Sequence, residues 1–261
     1  MDYKYAKVDR EGPITIVTLN RPEAMNALHA DAHMELEGIF DAFAADPGQW
    51  VAIVTGAGDR AFCAGNDLKV TAAGGGLTSD GNKTGFAGLS SRFDLNKPVI
   101  AAVNGVAMGG GFEIVLACDL VIAAENAVFA LPEPRVGLAA LAGGLLRLPR
   151  IVGETRALGM ILTSRRVSAA EGKELGFVNE VAPKGEALAV AKQWAAQIME
   201  ASPMSVQASK QTVQRGLEMP LEQALTEQWN FPAMKALFKS NDSKEGPLAF
   251  AEKRPPRWTG A

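Results

Sequence analysis

The sequence predicts a mixed α/β fold, and three observations carry that prediction. Short runs of apolar and β-branched residues, bounded by Gly, Pro and Asn, recur through the first half of the chain. Helical patterns lie between several of these runs. From Glu186 onward the pattern is helical alone. With 261 residues, 48% of them apolar, the chain is long enough for one large core or a core with a small appendage.

In chain order, the opening MDYKYAKVDREG is charged and holds no apolar h-region, so neither a secretory signal nor a transit peptide is read there. Ile14–Leu19 alternates as strands do, and Arg21-Pro22 stops it. A helix is expected from about Ala30 to Ala44. Trp50–Thr55, ended by Gly-Ala-Gly, then Ala61–Gly65, Val99–Val103, Leu120–Ala124 and Ala127–Ala130 read as buried strands. Between Ala72 and Gly88 no periodic apolar face is present, and the segment reads as a substrate-side loop or as disorder. Ser168-Ala-Ala-Glu171 has the form of a capping box. Helices are expected at 186–200, 203–216 and 220–239, separated by Ser202-Pro203 and Met219-Pro220. Trp229, Phe231, Met234, Leu237 and Phe238 give that end more apolar surface than a small subdomain buries, which points to an oligomer interface.

Several functions are disfavoured by composition. A formal net charge of −3 gives no global field for nucleic acid or for an anionic membrane. The most apolar stretch, Ile114–Ala124, is interrupted by Asp119 and is too short to span a bilayer. Cys63 and Cys118 read as reduced thiols in a cytoplasmic chain. His29 and His33 stand four apart with no third ligand and no H-E-x-x-H pattern, so they read as a solvated helix face and not as a metal site. No G-x-S-x-G elbow, G-x-G-x-x-G fingerprint or P-loop occurs.

Three segments carry candidate chemistry. In Ala102-Val-Asn-Gly-Val-Ala-Met-Gly109-Gly110-Gly111-Phe-Glu113, an apolar strand leads through three glycines into a helix. Glycine lets a ligand atom approach the amides, and the unpaired N–H groups of a helix start favour developing negative charge, which makes Gly110 N–H a candidate oxyanion donor. Glu113, three residues on, shares its helix face. The same residues also suit tight strand-to-helix packing and a helix dipole. Ala61-Phe-Cys-Ala64-Gly65-Asn-Asp67-Leu68-Lys69 likewise runs from a strand into small residues and offers a second N–H at Ala64, or simply a turn. In Phe129-Ala-Leu-Pro132-Glu133-Pro134, two prolines stiffen the backbone around a carboxylate whose pKa apolar walls would raise; alone, the segment reads rather as a surface turn.

Taken together and in this order, AFCAGNDLK, NGVAMGGGFE and FALPEPRVGL resemble the defining segments of the crotonase (enoyl-CoA hydratase/isomerase) superfamily. The likeness runs from Asn20–Ala27 through Gly172–Glu180 to Pro247–Arg254, and Gly85–Leu89 with Asn96–Asn104 is most similar to the carnitinyl-CoA dehydratases within it. The resemblance implies a ClpP/crotonase-like spiral of β-β-α units over residues 1–195 and a C-terminal helical trimerisation region over 196–261, giving homotrimers or homohexamers.

It further implies that Ala64 and Gly110 form an oxyanion hole for a thioester enolate, and that Glu113 and Glu133 are the acid/base pair. Glu23, Ala24, Met25 and Ala27, with Gly65, Asp67, Leu68 and Lys69, match segments that line coenzyme A. Lys253, Arg254 and Arg257 are further candidates for its phosphates. The implied activity is hydration of an enoyl-CoA or dehydration of a 3-hydroxyacyl-CoA, with the acyl-CoA thioester as partner and without a metal or organic cofactor. The alternatives are a Δ3-Δ2 enoyl-CoA isomerase and a non-catalytic acyl-CoA- or RNA-binding scaffold. One departure stands out: Gly137–Gly143 is wholly apolar, and Leu141, if it faces the acyl pocket, would exclude a trimethylammonium chain.

Overall fold

Alternating apolar residues build two sheets of different size. The computed structural model describes residues 3–74 and 83–261, so residues 75–82 of the predicted loop lie outside the described residues. The large sheet contains β1 (Ala6–Glu11), β2 (Ile14–Leu19), β3 (Val51–Gly56), β5 (Val99–Val103), β7 (Leu120–Ala124) and β10 (Glu180–Ala182), in the order β1-β2-β3-β5-β7-β10. The small sheet contains β4 (Ala61–Cys63), β6 (Val106–Met108), β8 (Val128–Ala130) and β9 (Val167–Ser168), in that order. All pairings are parallel except β1 with β2 and β8 with β9.

Helices follow pairs of strands. After α1 (Ala30–Ala45), the chain makes the turns β3-β4-α2, β5-β6-α3 and β7-β8-α4, where α2 is Leu68–Ala72, α3 Gly110–Ala117 and α4 Gly144–Val152. Each turn adds one strand to each sheet, which is the spiral the resemblance implies. Asn104 ties two corners of the spiral together: its side chain accepts from Gly56 N–H (3.2 Å) and donates to Gly56 O (3.0 Å) and Gly58 O (2.8 Å). Helices α5 (Glu154–Thr163) and α6 (Ala169–Leu175) complete this part, and Ser168 Oγ caps α6 by accepting Glu171 N–H at 3.2 Å.

The main core lies between the sheets and α1 and α3, where Phe112, Phe129 and Phe177 meet with ring centroids 5.1–5.3 Å apart. On the other face of the large sheet, Ala187, Ala191 and Ala195 of α7 (Ala187–Met199) cover Ile16, Ile53, Ile100 and Ile122. Full burial of each isoleucine stabilises by roughly 2 kcal/mol, so the sheet is covered on both sides, as parallel sheets require. Because α7 crosses residue 195 as one helix, the covering layer extends to Met199. Beyond it come α8 (Pro203–Gly216), α9 (Leu221–Glu227), α10 (Pro232–Lys239) and α11 (Asp242–Ala251). The helix expected at 220–239 is divided at Phe231, because Pro232 lacks the N–H that would continue it. Among the described residues no helix is long and apolar enough to cross a membrane.

Candidate active site

Three segments leave the carboxyl ends of the adjacent parallel strands β4, β6 and β8, the edge where ligands gather in open α/β sheets. After β6 the chain turns at Gly109, with φ 53° and ψ −126°, a conformation that side chains forbid. Its N–H is held by Ala130 O of β8 at 2.9 Å. Helix α3 begins at once. A Cβ on Gly111 would collide with Cys63 O of β4, and one on Gly110 would enter the Phe86 ring. The three glycines are therefore packing requirements and, at the same time, leave the Gly110 amide bare. Its N–H has no acceptor among the described residues and lies at the positive end of the helix.

Glu113, one turn into α3, is buried, and its Oε1 accepts Gly144 N–H from the start of α4 at 2.9 Å. Burial pushes its pKa up to about 7; the nearby Glu133 charge adds to the rise, while the Gly144 N–H and the Arg147 charge oppose it. Glu133 sits three residues past the end of β8 on a single 3-10 turn, Glu133–Val136, with Pro132 as its cap. A Cβ on Gly109 would lie 2.8 Å from Glu133 Oε1, so this carboxylate closes over the start of α3. Burial raises its pKa as well, and its Oε2 is buried without a hydrogen-bond partner among the described residues. The structure thus brings Gly110, Glu113 and Glu133 into one cleft.

Ala64 does not offer the second donor that the sequence suggests. Its N–H is spent on Met25 O at 3.0 Å, because the 21–28 segment packs directly alongside. Leu28 bridges the same segment by donating to Gly65 O and accepting Asp67 N–H, both at 2.8 Å, which turns the Asn66 peptide away from residue 28. A Cβ on Gly65 would stand 2.9 Å from Gly110 N, so the 65–66 peptide runs against the Gly110 amide.

The candidate coenzyme A residues come together on these two segments. Asp67 is held by Arg21 (3.0 Å) and caps α2; the Arg21 hydrogen bonds hold its pKa down against the larger opposing effect of burial. Glu23, Leu68 and Lys69 are exposed, Ala24 and Met25 half-buried, and Ala27 buried. Other predicted residues stand apart. Leu141 is 81% exposed, so within one chain it walls no pocket. Arg254 is paired in parallel with both oxygens of Glu245 (2.6 and 3.0 Å), which commits its guanidinium.

His33 is a correction. It is buried, not solvated, with its ring 4.3 Å from that of Phe86, and its Nδ1 accepts Ala87 N–H at 3.1 Å. Burial lowers its pKa to about 4, which keeps the imidazole neutral. The reason is the turn Phe86–Gly88, which packs on α1 and is buried although its sequence looks like a loop. Sequence reading also missed Asn26, buried with φ 55°, whose amide donates to Ala57 O and Ala61 O and fixes the 21–28 segment. Gly144 and Phe86 were missed too, because their partners are remote in sequence.

Two carboxylates raised by burial beside an unsatisfied amide define a centre for moving protons at carbon next to a carbonyl. The comparisons with known proteins agree. Residues 9–261 match the enoyl-CoA hydratase/isomerase family model. A carnitinyl-CoA dehydratase of Salmonella arizonae is 44% identical over 97% of this chain and 98% of its own. Among solved structures, an enoyl-CoA hydratase from Mycobacterium tuberculosis H37Rv superposes with TM-score 0.91 and 40% identity, covering 98% and 99% of the two chains. A carnitinyl-CoA hydratase from Mycobacterium avium gives TM-score 0.78 at 40% identity, covering both chains fully. The chain belongs to the enoyl-CoA hydratase/isomerase family.

Proposed function

We propose that the chain is a hydro-lyase that adds water to an enoyl-CoA or removes it from a 3-hydroxyacyl-CoA. The observation that carries this reading is a pair of carboxylates, Glu113 buried and Glu133 half-buried, both with raised pKa, around the bare Gly110 amide. In the dehydration direction Glu133 takes the proton from C2, and the electron pair moves into the thioester carbonyl to give an enolate. The enolate oxygen is held by the N–H groups of Gly110 and, in place of Ala64, Asn66. Collapse of the enolate expels the C3 hydroxyl, which leaves as water with a proton from Glu113. Hydration is the reverse, and the scheme uses no metal or redox cofactor.

The 23–27 and 65–69 segments would line coenzyme A, chiefly through backbone, with Lys69 near its phosphates. The groups beside Glu113 include Leu131, Phe86 through Gly110, the Glu133 carboxyl and the Arg147 cation; the two apolar groups and the cation favour a neutral acyl chain over a quaternary ammonium. The kinship with carnitinyl-CoA dehydratases supports the ammonium substrate as a second reading. Exposed Leu217, Leu221 and Phe250 on or beside the C-terminal helices support a homotrimer or homohexamer, and two free thiols, Cys63 buried and Cys118 half-buried, fit a cytoplasmic setting.

Initial rates on crotonyl-CoA, longer enoyl-CoA esters and crotonobetainyl-CoA separate the substrate readings. Glu113→Gln and Glu133→Gln should each lower kcat/KM for hydration by about a thousandfold. Retention of most activity by either variant would favour an isomerase, and tight binding of every ester without turnover would favour a scaffold.

A further inference from the structure

Arg147, on the first turn of α4, lies outside the reacting groups but touches both walls that hold them. Its backbone N–H donates to Gly143 O at 2.8 Å, and its guanidinium rests on the Gly143–Gly144 turn so closely that a Cβ on Gly143 would collide with Nη1. Across the cleft, Nη2 donates to Ser90 O at 2.8 Å, and the guanidinium carbon stands 5.8 Å from the Phe93 ring centre. Each end of this span leads to a functional atom. Ser90 Oγ accepts Phe86 N–H at 2.8 Å, and the Phe86 ring covers Gly110; on the other side Gly144 N–H holds Glu113.

We propose that Arg147 is a positioning residue, bridging Ser90 and the Gly143–Gly144 turn so that the wall over the Gly110 amide and the wall that grips Glu113 stay in register. The inference rests on the reading that Glu113 transfers a proton. The charged and titratable groups around Glu113 are Glu133 and Arg147, and those around Arg147 are Glu113, Cys118 and Arg150. The guanidinium is the cation that opposes the rise of the Glu113 pKa, so its removal carries that pKa higher.

The test compares Arg147→Met, which keeps an apolar stem, with Arg147→Lys, which keeps charge and a donor. Arg147→Gln, with a donor and no charge, serves the same purpose if the Met variant does not fold. Arg147→Met should lower kcat for crotonyl-CoA hydration by at least about tenfold with KM changed by less than about threefold. Isotope-edited infrared titration of the Glu carboxyls, with Glu113→Gln as the assignment control, should show the Glu113 midpoint moved upward in the Met and Gln variants and mostly restored in the Lys variant. A filler role would lower thermal stability, leave that midpoint in place and gain nothing from Lys. A folded Met or Gln variant with an unmoved midpoint or an unchanged kcat overturns the proposal. If Glu113→Gln retains activity, the proton-transfer reading fails instead, while the infrared shift still reports the coupling of Arg147 to Glu113.

Discussion

The start of α3 and the turn after β8 each deliver a desolvated carboxylate, one buried and one half-buried, to one cleft, yet they restrain it differently. Glu113 is gripped from outside by the amide of Gly144, 31 residues away, so its orientation depends on α4 being in place. Glu133 is restrained from within: Pro132 and Pro134 stiffen its own backbone, Gly109 packs against Oε1, and Oε2 is left without a partner among the described residues. A carboxylate whose lone pairs are already engaged is preset in direction. One with an unused oxygen retains its capacity for whatever enters. The difference fits one group that aims a water or hydroxyl and another that receives a proton.

The largest expected effect tests the setting of Glu113. Folding raises its pKa from the ordinary 4.5 to about 7, so its contribution to stability is full below about pH 4.5 and is lost as pH rises through 7. Glu113→Gln should therefore be more stable than the parent at pH 8 by up to about 3 kcal/mol, with the gain gone at pH 4.5. Urea unfolding at the two pH values measures this, and equal stabilities at pH 8 would mean that Glu113 is not desolvated.

A middle-sized effect couples the two regions. Gly109→Ala places a methyl 2.8 Å from Glu133 Oε1 and forces a positive φ on alanine. The folded fraction should lose about thirtyfold in kcat, and its pH profile should change on the Glu133 side while the Glu113 infrared midpoint stays. A shift of both midpoints would show that the regions are one unit. The smallest effect belongs to stiffness alone: Pro134→Ala should cost about 0.5–1 kcal/mol of stability and less than about threefold in kcat. A loss as large as that of Gly109→Ala would make the proline, and not the packing, the main restraint on Glu133.

Much of the spiral was legible because burial leaves a period in the chain. Ile14–Leu19, Val99–Val103 and Leu120–Ala124 have their predicted bounds. Strand β1 was not read, since as an edge strand it is mostly exposed and its KVDRE carries little apolar alternation. Strands β6 and β10 are three residues each, too short for a period to declare itself. Gly110 and Glu113 carry a partial local mark, glycines at a helix start with a carboxylate three residues on, whereas Glu133 was readable only through the resemblance of FALPEPRVGL. Gly144, Phe86 and Arg147 were not, because each acts on a residue made near only by folding. Ala64 failed for a related reason: whether an amide is bare depends on what packs alongside, here Met25 O, and no local pattern records that.

The unpartnered Oε2 of Glu133 also bears on selectivity. A desolvated acceptor left unanswered disfavours any occupant that cannot donate to it. An acyl thioester that leaves room for a water lets that water donate to Oε2, whereas one that fills the space with hydrocarbon leaves the oxygen unanswered. Rejection of over-bulky esters would then begin at binding, before any bond is made or broken.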